Sequence, residues 1–92
     1  MIINQVKTYT MELTVEEFEL FHPICKEVGY NYRFNAKEEI YNMIVTDEML
    51  FEMKYLLEQE RDYQYYEECN RFRAKEIDYL INEVAYEVRN GY

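Results

Sequence analysis

Residues 47–90 are the segment that most limits what this chain can fold into. These forty-four residues contain no glycine, proline or serine, and they carry twelve of the nineteen carboxylates. Apolar residues recur at helical spacing, first at Met49, Leu50, Met53, Leu56 and Leu57 and again over residues 77–84. Such spacing places an apolar stripe along one side of a helix. The segment therefore predicts either one long helix or a pair of helices.

The two apolar stripes are out of phase, which separates these alternatives. When the first stripe is extended past Leu57, it reaches polar residues, and a second stripe starts at Tyr66 and Cys69 and continues through Phe72, Ile77, Leu80, Ile81, Val84 and Val88. A single straight helix would be about 66 Å long, whereas a domain of this size has a radius of gyration of about 13 Å. We therefore expect a turn near residues 58–63 and an antiparallel helical hairpin. The alternative is one projecting helix that pairs with a second copy, giving a homodimer through the C-terminal helices.

The N-terminal third of the chain predicts a strand followed by a capped helix. Residues 2–13 end in an alternation of apolar and polar side chains, which is typical of a half-buried strand. Thr14 and Glu17 have the spacing of a capping box, which marks the first turn of a helix. Pro23 is expected to kink that helix or to divide it, and Gly29 to end it in the left-handed conformation. Its apolar face would consist of Phe18, Phe21, Cys25 and Val28.

Residues 30–45 return to a period of two and predict a β-hairpin. Tyr30, Tyr32 and Phe34 alternate with polar residues, and residues 40–45 are rich in β-branched and aromatic side chains. A helix over residues 36–43 is the competing interpretation. Together with the first strand, the hairpin predicts a small antiparallel sheet of about three strands. The fold class is thus α+β, with a helix after strand 1 and two longer C-terminal helices packed as a hairpin.

Length and charge limit the class of protein. Ninety-two residues suffice for a single compact domain spanning residues 1–92. The net charge of −9 repels nucleic acid and anionic membranes and attracts basic protein surfaces. We therefore expect a basic protein partner, with no direct binding of nucleic acid or membrane. The absence of a long apolar run and of a signal-like amino terminus predicts a cytoplasmic protein.

The sequence contains few combinations of residues that could form a catalytic site. The chain has no serine, which removes serine-based triads. Its single histidine, His22, lies three residues before Cys25, so a thiol-dependent or metal-dependent site would have to use this incomplete pair. Adjacent acidic residues point about 100° apart on a helix and do not face one another as a general acid and base. We expect no enzymatic activity, no catalytic residues, no cofactor and no metal.

The most unusual surface is an acid–tyrosine cluster over residues 58–68, which contains five acids, one base and three tyrosines. Tyrosines recur at binding hot spots, and carboxylates around them would steer a basic partner. Charge runs are more often solvated helix faces, and in that alternative the tyrosines pack sideways on the core. The nearby Arg71, Arg73 and Lys75 leave a mixed-charge interface open. The partner-binding residues predicted here are Glu58, Glu60, Asp62, Tyr63, Tyr65, Glu67 and Glu68.

In size, acidity and lack of catalytic residues, the chain resembles small phage-encoded inhibitors of host or defence proteins, including anti-CRISPR proteins and other DNA mimics. This resemblance covers the composition of the whole chain and implies no role for any single residue. It implies a non-enzymatic inhibitor that presents a negative, DNA-like surface to a basic nucleic-acid-binding protein. The alternative is an acidic antitoxin-like or adaptor module that binds a basic protein without imitating nucleic acid.

Overall fold

The computed structural model describes residues 8–90, with side chains described through Tyr86, and it confirms the predicted α+β architecture. A strand β1 is followed by a helix α1 and a 3₁₀ turn, then by two strands, β2 and β3, and two longer helices, α2 and α3. A π-helical turn extends α2. The bounds in chain order are β1 Thr8–Thr14, α1 Val15–Cys25, 3₁₀ turn Lys26–Val28, β2 Asn31–Asn35, β3 Ile40–Thr46, α2 Asp47–Asp62, π-helical turn Tyr63–Glu67 and α3 Arg71–Asn90. The part of the predicted first strand over residues 2–7 lies outside the described residues.

The three strands form one antiparallel sheet in the order β1-β3-β2. Met11 of β1 lies opposite Met43 of β3, and both side chains are buried. Thr10 and Ile44, on the opposite face of the same strand pair, are exposed. Because burial alternates along β1 and the C-terminal half of β3, the helices cover one face of the sheet only.

The competing helix over residues 36–43 does not form. Residues 36–39 are instead the turn between β2 and β3, and Glu39 has φ 55°, in the left-handed region. The side-chain oxygen of Asn35 accepts hydrogen bonds from the backbone N–H groups of Lys37 and Glu38 at 3.1 and 3.2 Å. Such local bonds favour a turn over a helix.

The predicted start of α1 is confirmed, and α2 begins with a threonine cap as well. The Thr14 side chain accepts from the Glu17 N–H at 3.2 Å, and the Glu17 carboxylate accepts from the Thr14 N–H at 2.9 Å, so the capping box is complete. Thr46 caps α2 by accepting from the Met49 N–H at 3.2 Å. Helix α1 continues through Pro23 to Cys25, and the 3₁₀ turn ends at Gly29, which has φ 86° as predicted.

A single apolar core joins the sheet to the three helices. Helix α1 contributes the predicted residues Phe18, Phe21 and Cys25, while Val28 is half-buried. The deepest side chains of α2 are Leu50, Met53 and Leu57, none of which has measurable exposure. From α3 the core receives Ile77, Leu80, Ile81 and Val84.

The helical hairpin is confirmed, but the turn predicted at residues 58–63 is in the wrong place. Helix α2 runs through this segment to Asp62, the π-helical turn Tyr63–Glu67 follows, and the chain reverses over residues 68–70. Cys69, at the reversal, has φ 53°. Asn70 then donates its N–H to the Gln64 carbonyl at 2.7 Å, and its side chain accepts from the Arg73 N–H at 3.0 Å, which caps α3.

The second predicted stripe is correct only in its C-terminal part. Tyr66 and Phe72 are 71% and 77% exposed, and Cys69 is also exposed, because these residues lie at or beside the reversal. The stripe begins at the buried Ala74 and includes Ile77. The predicted member Val88 lies outside the residues whose side chains are described.

Two glycine substitutions test where the chain reverses. Gln59→Gly lies in the interior of α2 and should lower the free energy of unfolding by about 1 kcal/mol. Cys69→Gly should leave it unchanged or raise it by up to about 1 kcal/mol, because glycine has no Cβ penalty at positive φ. Urea unfolding followed by far-UV circular dichroism gives both values. If Cys69→Gly lowered the free energy of unfolding and Gln59→Gly did not, the turn would instead lie at residues 58–63.

Candidate binding surface at the hairpin tip

The hairpin tip, defined as residues 58–73, extends beyond the core. None of its sixteen residues is buried, whereas Leu57 before it and Ala74 after it both are. Four large aromatic side chains of the tip are exposed: Tyr63 by 48%, Tyr65 by 44%, Tyr66 by 71% and Phe72 by 77%. Clustered exposed aromatic side chains are typical of interaction surfaces rather than of solvated helix faces.

One side of the tip is acidic and is centred on Tyr63. The Tyr63 hydroxyl donates to the Glu68 carboxylate at 2.7 Å. That hydrogen bond and the charge of Glu68 raise the pKa of Tyr63, and the nearby Glu60 and Glu67 add to the effect. Tyr63 and Glu60 also line a shallow depression against Pro23 of α1. One carboxylate therefore bonds the Tyr63 hydroxyl, and two more act on it electrostatically.

The other side of the tip is a groove between α2 and α3, which we call the cationic groove. Its volume is about 470 Å³, and its lining includes Arg61, Asp62, Tyr65, Tyr66, Arg71 and Lys75. Arg61 bonds Asp62 at 3.2 Å and Asp78 at 3.0 Å, and these contacts raise its pKa. The guanidinium carbon of Arg71 lies 5.7 Å from the centre of the Tyr65 ring, in a cation–π arrangement.

The seven predicted partner-binding residues do not all lie on one surface. The acidic side brings together Glu60, Tyr63, Glu67 and Glu68. Asp62 and Tyr65 line the cationic groove instead. Glu58 is 3.9 Å from the Lys54 ammonium group, one helical turn back towards the core.

Sequence reasoning missed several residues of the tip. Tyr66 and Phe72 were assigned to the core stripe, although they are the most exposed aromatic side chains of the tip. Arg61 was counted only as the single base of the cluster, and its pairing with Asp78 depends on α3 lying alongside α2. The signal for the cationic groove was present in the run of Arg71, Arg73 and Lys75.

His22 and Cys25 are not paired with each other. The His22 Nδ1 atom lies 2.6 Å from the Tyr30 hydroxyl, and its ring stacks on Phe18 with centroids 4.8 Å apart. The Cys25 thiol is directed to the Met53 carbonyl at 3.8 Å. Burial, with a smaller contribution from Glu52, raises the pKa of the Cys25 thiol to about 12. These contacts make Cys25 a neutral core thiol, not a nucleophile.

Three tyrosines outside the tip, Tyr30, Tyr32 and Tyr41, lie where α1 meets β2 and β3, whereas Tyr55, Tyr79 and Tyr86 are exposed on α2 and α3. Phe18 stacks on Tyr41 with centroids 3.8 Å apart and contacts Tyr32 at 5.0 Å. Tyr30 is buried, and burial raises the pKa of its hydroxyl. These contacts form a structural aromatic layer at the edge of the sheet, which accounts for three of the eleven tyrosines.

Metal sites and membrane spans are both absent from the described part of the chain. No group of three or more histidine, cysteine or acidic side chains in this part could hold a metal ion. Within the same residues, none of the helices combines the length and the apolar composition needed to cross a bilayer.

Comparison with known proteins adds no relative: no family model, curated protein or solved structure matches this chain.

The thiols offer a direct test of the assignment of Cys25. In the native protein, a thiol reagent such as Ellman's reagent should modify Cys69, which is exposed, and leave Cys25 unmodified between about pH 7 and 10. Cys25 should react only when the protein is unfolded in urea, because the fold keeps it neutral and buried. Two native thiols that react at similar rates would contradict this assignment.

Proposed function

We propose that this chain is a non-enzymatic inhibitor that acts by binding a protein, with the hairpin tip as its contact surface. The acidic side of the tip would occupy a basic surface of the partner, such as one that binds nucleic acid. The observation that carries the proposal is the exposure of four aromatic side chains on a segment that contributes no buried residue to the core.

Stability alone gives no reason for these aromatic residues. An exposed tyrosine or phenylalanine on a helix adds little to folding, and helix propensity would favour alanine at the same positions. At an interface, the same rings supply a large contact area at low entropic cost. The local backbone supports this argument, because π-helical turns and left-handed non-glycine residues are enriched at functional sites. The tip has both, at Tyr63–Glu67 and at Cys69.

The charge around Tyr63 favours a basic partner. Glu68 bonds its hydroxyl, Glu60 and Glu67 act on it electrostatically, and the chain as a whole carries a net charge of −9. Long-range attraction would accelerate the encounter with a basic surface and make the association sensitive to salt. Imitation of DNA is the narrower form of this proposal, in which the carboxylates stand in for phosphates.

The second candidate is an adaptor or antitoxin-like module that binds a basic protein without imitating nucleic acid. The specific observation in its favour is the cationic groove, since Arg71 and Lys75 would repel the partner surface that a pure DNA mimic addresses. A mixed-charge interface is compatible with both sides of the tip. Competition with nucleic acid separates the two candidates.

A homodimer through the C-terminal helices would have to use other surfaces than the apolar stripe. In α3 that stripe includes Ile77, Leu80 and Val84, which are buried within the core of one chain. The exposed Tyr79 of the same helix is 57% accessible and is a residue that such a contact could use.

Charge reversal on the acidic side is the test of the proposal. Wild-type protein used as bait is expected to capture partner proteins from host lysate. The variant Glu60→Lys, Glu67→Lys and Glu68→Lys should capture at least tenfold less of those proteins. The matched control is Glu12→Lys, Glu16→Lys and Glu19→Lys, which changes the net charge equally. These three control residues are exposed and lie on β1 and α1. Quantitative mass spectrometry of the captured proteins gives the comparison, and equal losses for both baits would rule out a specific role for the tip.

Duplex DNA added to the captured complex then distinguishes the two candidates. A DNA mimic predicts that DNA releases the partner and that raising the salt concentration weakens the complex steeply. Simultaneous binding of DNA and of this chain to the partner would exclude mimicry and favour the adaptor.

A further inference from the structure

The charges of the cationic groove do not balance within the chain. Its two carboxylates, Asp62 and Asp78, both bond the same cation, Arg61. Arg71 and Lys75 have no carboxylate within ion-pair distance among the described residues. They lie four residues apart on α3, so their side chains are neighbours on one face of the helix. The groove thus has two cations without an ion-pair partner in the described part of the chain and one more cation than carboxylates, in a protein whose net charge is −9.

The groove is also lined by two tyrosine rings and by a small buried residue of α3. Tyr65 and Tyr66 meet edge to face with centroids 4.8 Å apart, and Arg71 lies over the Tyr65 ring. Ala74, which is 4% exposed, is the small residue at the base between the two helices. A volume of about 470 Å³ is in the range of sites that hold small ligands or a few side chains.

We propose that the cationic groove binds a carboxylate-bearing segment of a protein partner. One acidic side chain of that segment pairs with Arg71 and Lys75, and a neighbouring aromatic or apolar side chain packs on Tyr66. Arginine is suited to this role, because its planar guanidinium can stack on Tyr65 while its edge donates paired hydrogen bonds to a carboxylate. This inference extends the proposed function and rests on its premise that the tip contacts a protein.

Charge argues against two other anionic occupants of the groove, a nucleic acid strand and a second copy of the chain. A nucleic acid strand needs several neutralised phosphates for useful affinity, whereas two free cations beside the many carboxylates of this chain offer too little. A second copy of the chain would bring together two molecules that each carry a charge of −9. A short acidic segment requires only one or two ion pairs, which the groove supplies.

A peptide titration on the intact protein tests the proposal. The probe is the blocked peptide Gly-Asp-Phe-Asp-Gly, and its neutral counterpart is Gly-Asn-Phe-Asn-Gly. In ¹H–¹⁵N spectra, the acidic peptide should shift amides of residues 61–78 with a dissociation constant on the order of 1 mM. The neutral peptide should bind at least tenfold more weakly.

Variants then assign the binding to the groove. Arg71→Gln with Lys75→Gln should weaken binding of the acidic peptide at least tenfold. The matched control, Arg33→Gln with Lys37→Gln, removes two exposed cations of β2 and the following turn and should bind as wild type does. Circular dichroism of both variants verifies that they are folded, which is expected because all four residues are exposed.

Several results would overturn the inference. These are equal binding of the acidic and neutral peptides, retained affinity in the groove variant, or shifts confined to other parts of the chain. Tighter binding of a short single-stranded DNA in the groove, or concentration-dependent shifts of its amides without peptide, would assign it to nucleic acid or to a second copy. The Glu60, Glu67 and Glu68 reversal should bind the peptide at least as tightly as wild type. Failure of the groove is therefore distinguishable from failure of the acidic side.

Discussion

The constraint on which the rest of this structure depends is that the helical hairpin is longer than the core it covers. Leu57 is the last buried residue of α2, and Ala74 is the first buried residue of α3. Everything between these two residues is held by backbone hydrogen bonds, a cap at Asn70 and exposed contacts. Residues 58–73 are therefore released from the packing requirements that fix the sequence elsewhere, and they are available for binding.

Because the reversal falls at residues 68–70, the start of α3 runs back beside the end of α2. This arrangement brings Arg71 and Lys75 next to Tyr65 on one side, while the carboxylates around Tyr63 remain on the other. A cluster that is strongly acidic along the sequence thus becomes a surface with two sides of opposite character. Partner recognition through both sides would combine electrostatic steering with a directional ion pair.

Much of the fold could be predicted from the sequence, because its signals are local. The capping box at Thr14 and the cap at Thr46 are short-range hydrogen bonds that the sequence determines directly. The turn was misplaced because no glycine or proline marks it, and the apolar phase slip begins where the core ends instead of where the chain reverses. For the same reason the composition identified the tip as unusual but not its cationic groove, which exists only once α2 and α3 are paired.

The central claim is that the aromatic side chains of the tip serve binding and not folding. The most direct test is the free energy of unfolding of a variant in which Tyr63, Tyr65, Tyr66 and Phe72 are all replaced by alanine, measured by urea denaturation. The account predicts a value within about 1 kcal/mol of wild type, since exposed substitutions have small effects. By comparison, Leu57→Ala alone should cost about 2–5 kcal/mol. A loss in the fourfold variant as large as that of Leu57→Ala would mean that the tip is part of the core, and it would contradict the account.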